Sequence, residues 1–254
     1  MINSFLPVLL AFFLMLGCVW VSWTQGHRLE KDLLLSSVRV VIQLTLLGLI
    51  LGWLFRHTSP VFTLAAAVFM TVNSALQSSA RIKNKYPGLF LNNLTATMLA
   101  LWPLAMVGTQ LISPGPWWKI DILLPLIGMM LGNTLSGLSM GIDHFTQDIR
   151  EKKEEVLSWL SLGASVKEAT HALFQRSLRL ALGSTINSML SMGLVSIPGM
   201  MTGQILAGNT PMEAALTQII VMFLIASGTY LATFIGLLLS RNKLFNDRGQ
   251  LCYT

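Results

Sequence analysis

Apolar stretches of about 20 residues constrain this chain before anything else does. Seven can be drawn, roughly at 4–24, 33–55, 60–80, 90–112, 120–142, 183–207 and 212–240. As an α-helix, a run of that length rises about 30 Å, which is the thickness of a bilayer's hydrocarbon core. Turn-forming pairs separate the runs: Ser59-Pro60, Tyr86-Pro87-Gly88, Ser113-Pro114-Gly115-Pro116 and Thr210-Pro211. Charged residues make up only 11% of the chain and hydrophobic ones 53%, whereas a soluble domain carries about a quarter charged residues. No segment of about 10 residues alternates as a membrane barrel requires. The expectation is an all-α, polytopic membrane protein with about seven transmembrane helices, forming a single membrane domain over residues 1–254. Cys18, inside the first run, and Cys252, in the tail, make neither a disulfide framework nor a zinc spacing. The first run, from Phe5 to Trp23, lacks a basic leader and a small-residue cleavage site, so it reads as a retained helix and not a signal peptide.

Lys and Arg set the expected orientation. With the N-terminus outside and the spans alternating from there, the cytoplasmic segments hold Arg28, Lys31, Arg39, Arg81, Lys83, Lys85, Arg150, Lys152, Lys153, Lys167, Arg176, Arg179, Arg241, Lys243 and Arg248. Only Arg56 and Lys119 fall outside. This positive-inside bias accounts for the net charge of +6 without nucleic acid, and it places the C-terminus in the cytoplasm of a cell's inner (plasma) membrane. Trp117 and Trp118 beside Lys119 fit an outer aromatic belt. The outer loops are short, so the one sizeable soluble element is a cytoplasmic arm at about 143–182.

The arm runs directly into the sixth apolar run. Val156, Leu157 and Leu160 recur at helical spacing and make an apolar stripe beside Trp159. Gly163 can close that helix in the left-handed conformation, and Ser165 with Glu168 three residues on makes a capping box for the next. A short helix, a tight turn and a longer helix entering the membrane near Leu180 are predicted. An amphipathic segment lying on the membrane surface is the competing reading, but such helices favour basic flanks, and Glu151, Glu154 and Glu155 lead this one.

No span carries an acidic residue near its middle, which argues against a proton- or sodium-coupled transporter. Four spans present polar groups at comparable depth: Arg39 and Gln43; Asn73 and Gln77; Asn133 among Gly128, Gly132 and Gly137; Asn187 and Ser191. Arg39 can equally snorkel to the surface, and single buried amides serve as interhelical glue worth around 1 kcal/mol. As a set they suggest a polar transport path. Pro198-Gly199 followed by Met200-Met201 should kink or break the sixth span there. Broken helices at depth line cavities or are buried in protein. Of the 14 methionines, several crowd this region; thioethers suit Cu(I), though methionine is also an ordinary core filler. His27, His57, His144 and His171 fall in loops, ends or the arm and form no evident metal site, so the metal ligands are unknown.

Four segments carry a resemblance: Glu30-Lys31-Asp32 with Arg39 and Gln43; Gly128-Met-Met-Leu-Gly-Asn133; Leu160-Ser-Leu-Gly-Ala-Ser165; and Gly193-Leu-Val-Ser-Ile-Pro-Gly-Met-Met-Thr-Gly203. They resemble the FetB family of iron-export ABC transporter permeases, which has plant relatives linked to aluminium tolerance. The resemblance implies a homodimeric permease, not itself an enzyme, that works with a separate cytosolic ABC ATPase carrying the ATP and Mg. It also implies that the arm residues Val156, Leu157, Trp159, Leu160, Gly163, Ser165 and Glu168 couple to that ATPase, and that the exported substrate is iron or another metal ion. The Leu-Gly-Ala-Ser core is similar to the coupling loop of ABC importers, with Leu157 where that loop carries a glutamate. The family pattern has an acidic residue and a lysine where Asn187 and Leu190 stand. No Gly-x-x-x-x-Gly-Lys loop occurs in the chain, so ATP would bind elsewhere. Rival readings are a permease for an organic or sugar-linked solute, a non-transporting sensor, and an intramembrane serine protease. The last lacks a histidine base at the core of any span.

Overall fold

In lipid, every backbone N–H and C=O must be bonded within its own segment or buried in protein, so an apolar run with no strand partners becomes a helix. The computed structural model describes residues 2–56, 59–246 and 250–251; His57, Arg248 and Cys252 lie outside the described residues. The helices are α1 (Ile2–Gln25), α2 (Glu30–Leu54), α3 (Pro60–Arg81), α4 (Leu89–Ile112) and α5 (Ile120–Glu151). They continue with α6 (Lys153–Ser161), α7 (Val166–Ala169), α8 (His171–Ser191), α9 (Gly199–Leu206) and α10 (Pro211–Leu244). Among the described residues, six helices, α1 to α5 and α10, are long and apolar enough to cross a membrane. The remaining apolar run, at about 183–207, is divided between α8 and α9. The chain is an all-α, multi-pass membrane protein.

The residues group into two compact units, 1–58 and 59–254. In the first, α1 and α2 pack on each other as a hairpin. Ser22 fixes its corner: the hydroxyl accepts from the Leu29 N–H at 3.2 Å and donates to Glu30 Oε2 at 3.4 Å. Arg39 and Gln43 are both exposed on α2.

In the second unit, α5 is the axle, packed by α3, α4, α8 and α10. It has 32 residues and so rises about 48 Å, well past the ~30 Å of a hydrocarbon core. Its buried face repeats at helical spacing through Leu123, Ile127, Met130, Thr134, Leu138, Ile142, Phe145 and Ile149. Gly137 and Gly141 remove side chains from one side of this face. A Cβ at Gly137 would lie 2.7 Å from Thr229 Cγ2 and 3.1 Å from the Ala181 carbonyl oxygen. One at Gly141 would lie 2.8 Å from Thr233 Cγ2 and 3.1 Å from Ala181 Cβ. Both α8 and α10 therefore ride directly on α5, as small residues permit between membrane helices. Gly132, by contrast, has nothing within 4 Å of its ideal Cβ.

The unit's interior holds more polar groups than its apolar runs advertise. Asn93 donates to Ser78 Oγ (3.3 Å) and Ser79 Oγ (3.0 Å), joining α4 to α3. The Tyr86 hydroxyl meets Ser240 Oγ at 2.7 Å and accepts from Asn92 at 3.2 Å, joining the α3–α4 connection to α10. Burial pushes the Tyr86 phenol above its ordinary value, and these two hydrogen bonds act against that shift. Beneath the arm, Phe145, Phe174 and Phe234 stack edge-to-face, with centroids 6.0 and 5.7 Å apart and Arg241 over the Phe174 ring.

Candidate functional site

Two regions at opposite ends of α8 hold most of the residues singled out from the sequence. The first is the arm. α6 follows α5 after the single residue Lys152 and begins with Glu154 and Glu155 in its first turn, favourable at a helix N-terminus. Gly163 ends α6 at φ +92°, a conformation that side chains resist. Ser165 then caps α7: its hydroxyl and its N–H donate to Glu168 Oε2 at 2.6 and 2.8 Å, and the Glu168 N–H returns to Ser165 Oγ at 3.3 Å. The Ser165 side chain, its backbone N–H and nearby Lys167 hold the Glu168 carboxyl below the usual glutamate range. The predicted capping box is present, but the helix it opens is only four residues long. Thr170, fully buried, interrupts it at φ −104° and ψ 1° before α8 begins.

The expected single stripe on α6 divides in two. Val156 is buried and Leu160 packs on the hydrophobic cluster under the arm, so these two hold α6 to the body of the unit. Leu157 and Trp159 are exposed, at 40% and 54%, and Leu162 in the turn is 82% exposed. The residues are one position apart in sequence but about 100° apart around a helix. Asp148, nearly buried at the end of α5, faces the exposed guanidinium of Arg176 on α8 at 3.8 Å. That distance makes an ion pair too long for a hydrogen bond, and Asp148 Oδ2 has no hydrogen-bond partner.

The second region is the break. α8 ends at Ser191, and Met192 turns extended (φ −66°, ψ 132°). Gly193 sits at φ +82° and its N–H donates to the Ser196 carbonyl at 2.9 Å. Pro198 then caps α9 from outside, at φ −64° and ψ 140°. The break foreseen at Pro198-Gly199 thus opens six residues earlier, at Met192, since a residue before proline is itself kept from the α conformation and Gly193 supplies the reversal. Leu194, Val195 and Ile197 are more than 70% exposed. A second capping box, Thr210 with Glu213, restarts the chain as α10.

The polar residues chosen as a path lie on α2, α3, α5, α8 and α9. Asn73 and Asn133 each bond a carbonyl of their own helix four residues back, at 2.9 and 3.0 Å, from Phe69 and Met129. Asn73 is half-buried, Gln77, Asn133 and Asn187 are exposed, and Ser191, Met200 and Met201 are half-buried. Of the set, Pro198 and Met201 line a cavity of about 450 Å³ beside the break, together with Met189, Met192, Gln218 and Met222. Sequence reasoning missed the buried amides Asn92, Asn93 and Gln218. The signal for Gln218 was its place one turn after Ala214 and just before Val221 on the buried face of α10. Among the described residues, no three His, Cys, Asp or Glu side chains gather where they could hold a metal ion.

Residues 5–245 match the profile of the "Uncharacterised protein family (UPF0014)". The "Probable iron export permease protein FetB" of Escherichia coli K12 is 33% identical over 246 residues, covering 96% of this chain and 93% of that protein. The UPF0014 membrane protein STAR2 of rice is 27% identical, covering 92% and 81% of the two chains. The protein ALUMINUM SENSITIVE 3 of Arabidopsis thaliana is 26% identical, covering 95% and 87%. No solved structure matches significantly. The chain is a multi-pass membrane protein and belongs to the UPF0014 family, whose relatives include a protein named as a permease.

Proposed function

We propose that the chain is the membrane permease subunit of an ABC transporter that exports iron or another metal ion, working as a homodimer with two copies of a separate cytosolic ATPase. ATP and Mg bind on that partner. The N-terminus lies outside, and the arm and C-terminus lie in the cytoplasm of the plasma membrane, in line with the Lys and Arg distribution. The observation that carries the reading is the divided stripe on α6: Val156 and Leu160 are anchored inward, while Leu157 and Trp159 project outward beside a turn locked by Gly163 and Ser165. A short, stiff, apolar knob on an otherwise charged segment suits a docking cleft in a motor protein. ATP-driven closure of the ATPases would push this knob, and α8 would carry the motion to the break.

The test is ATP-dependent metal uptake into inside-out vesicles containing this chain and its ATPase. Uptake of iron, with manganese, copper and cobalt as alternatives, is expected. Failure across all four, with uptake of an organic or sugar-linked solute, moves the assignment to that substrate class. The purified chain alone should hydrolyse no ATP, and hydrolysis by it alone would refute the reading.

A further inference from the structure

We infer that the cavity beside the break is a thioether site for a soft monovalent cation of the Cu(I) class. Four methionines reach it from three directions: Met189 and Met192 from the end of α8, Met201 from α9, and Met222 from α10. The break is what assembles them, because an uninterrupted helix through 183–207 would send Met192 and Met201 to positions set by its own period. Met222 is buried, at 7% exposure. These four residues line about 450 Å³ of open space, unlike a methionine that fills a packed core.

Gln218 is the second, independent observation. The residue is 8% exposed, its amide nitrogen donates to Met192 Sδ at 3.9 Å, and its Oε1 has no hydrogen-bond partner. A buried amide oxygen without a partner is a group that a bound cation would satisfy. The rest of the lining includes Ile219 and Phe223 and carries no carboxylate, imidazole or thiol. Hard divalent ions need several oxygen ligands and usually charged ones. Four neutral, polarisable thioethers with one carbonyl oxygen instead suit a soft ion of single charge, whose charge an apolar wall tolerates better than two. The assignment rests on these side chains alone and not on the pairing with an ATPase, so either can fail without the other.

The test uses the full chain carrying Cys18→Ser and Cys252→Ser, since thiols would compete for the probe. Ag(I), a redox-inert stand-in for Cu(I), is equilibrated with the purified protein and retained silver is measured by elemental analysis. About one silver ion per chain is expected, with Fe(II) and Zn(II) not retained. Met192→Leu with Met222→Leu, a nearly volume-conserving pair, should weaken retention about tenfold or more. Met140→Leu, at an exposed methionine of α5 away from the cavity, should leave it unchanged. As a check that does not depend on the variants folding, methyl-labelled methionine NMR should show silver shifting Met189, Met192, Met201 and Met222 but not Met140. Absent silver retention, equal loss in Met140→Leu, equal retention of Fe(II), or shifts confined to other methionines would each overturn the site.

Discussion

The two ends of α8 are both turns built on a left-handed glycine, Gly163 and Gly193, yet they are specified in opposite ways. At the arm end, hydrogen bonds of the Ser165–Glu168 box close the turn and charged neighbours keep it in water. At the broken end, no side-chain cap closes α9, and Leu194, Val195 and Ile197 project outward. One turn is closed by side-chain hydrogen bonds; the other is closed by backbone bonds alone, among them Gly193 N–H to the Ser196 carbonyl, while its apolar side chains project outward. Under the proposed function the arm takes the mechanical input and needs a fixed shape, whereas the break must change shape, and the chemistry of each turn suits that role.

The comparison can be broken most severely at the exposed knob. Leu157→Ser with Trp159→Ser should weaken ATPase binding and ATP-driven flux about tenfold or more, with little change in thermal stability, whereas Leu194→Ser should leave ATPase binding unchanged. Pull-down of the ATPase together with vesicle flux decides this. Next in size, Gly163→Val and Gly193→Val should each destabilise by about 1–3 kcal/mol, since both force a β-branched residue into the left-handed region. Thermal unfolding in detergent measures both, and a loss at one end only would mean the other turn relaxes. Ser165→Ala removes a helix cap and should lower stability by about 1 kcal/mol, seen as faster hydrogen exchange confined to residues 163–170. The smallest effect is acid loosening of the same turn. Because the Glu168 carboxyl is lowered in the folded state, its contribution is complete above the ordinary glutamate value and is lost as pH falls through its depressed one. Exchange at 163–170 should therefore rise only in that acid window, and Glu168→Gln should abolish the pH dependence.

What could be read in the sequence follows the range of the interaction. The apolar runs and the arm turn were legible because apolar length, Gly163 and the Ser165–Glu168 pair act within a few residues, but the run at 183–207, expected as one kinked span, is divided between α8 and α9. Which side of each helix faces inward was not. On α6 the inward Val156 and the outward Leu157 are both apolar neighbours, so their periodicity is silent until α5 and α8 are in place. The same silence hid the amides: Asn92 and Asn93 are buried while Asn133 and Asn187 are exposed. In a span that is apolar all round, depth along the helix can be read but direction around it cannot.

The glycine seam on α5 has a mechanical consequence. Ala181, where α8 meets Gly137 and Gly141, is the midpoint of His171–Ser191, leaving about 15 Å of helix on either side. Under the proposed function this close crossing would serve as the pivot of α8, so that a push on one limb is returned at the other.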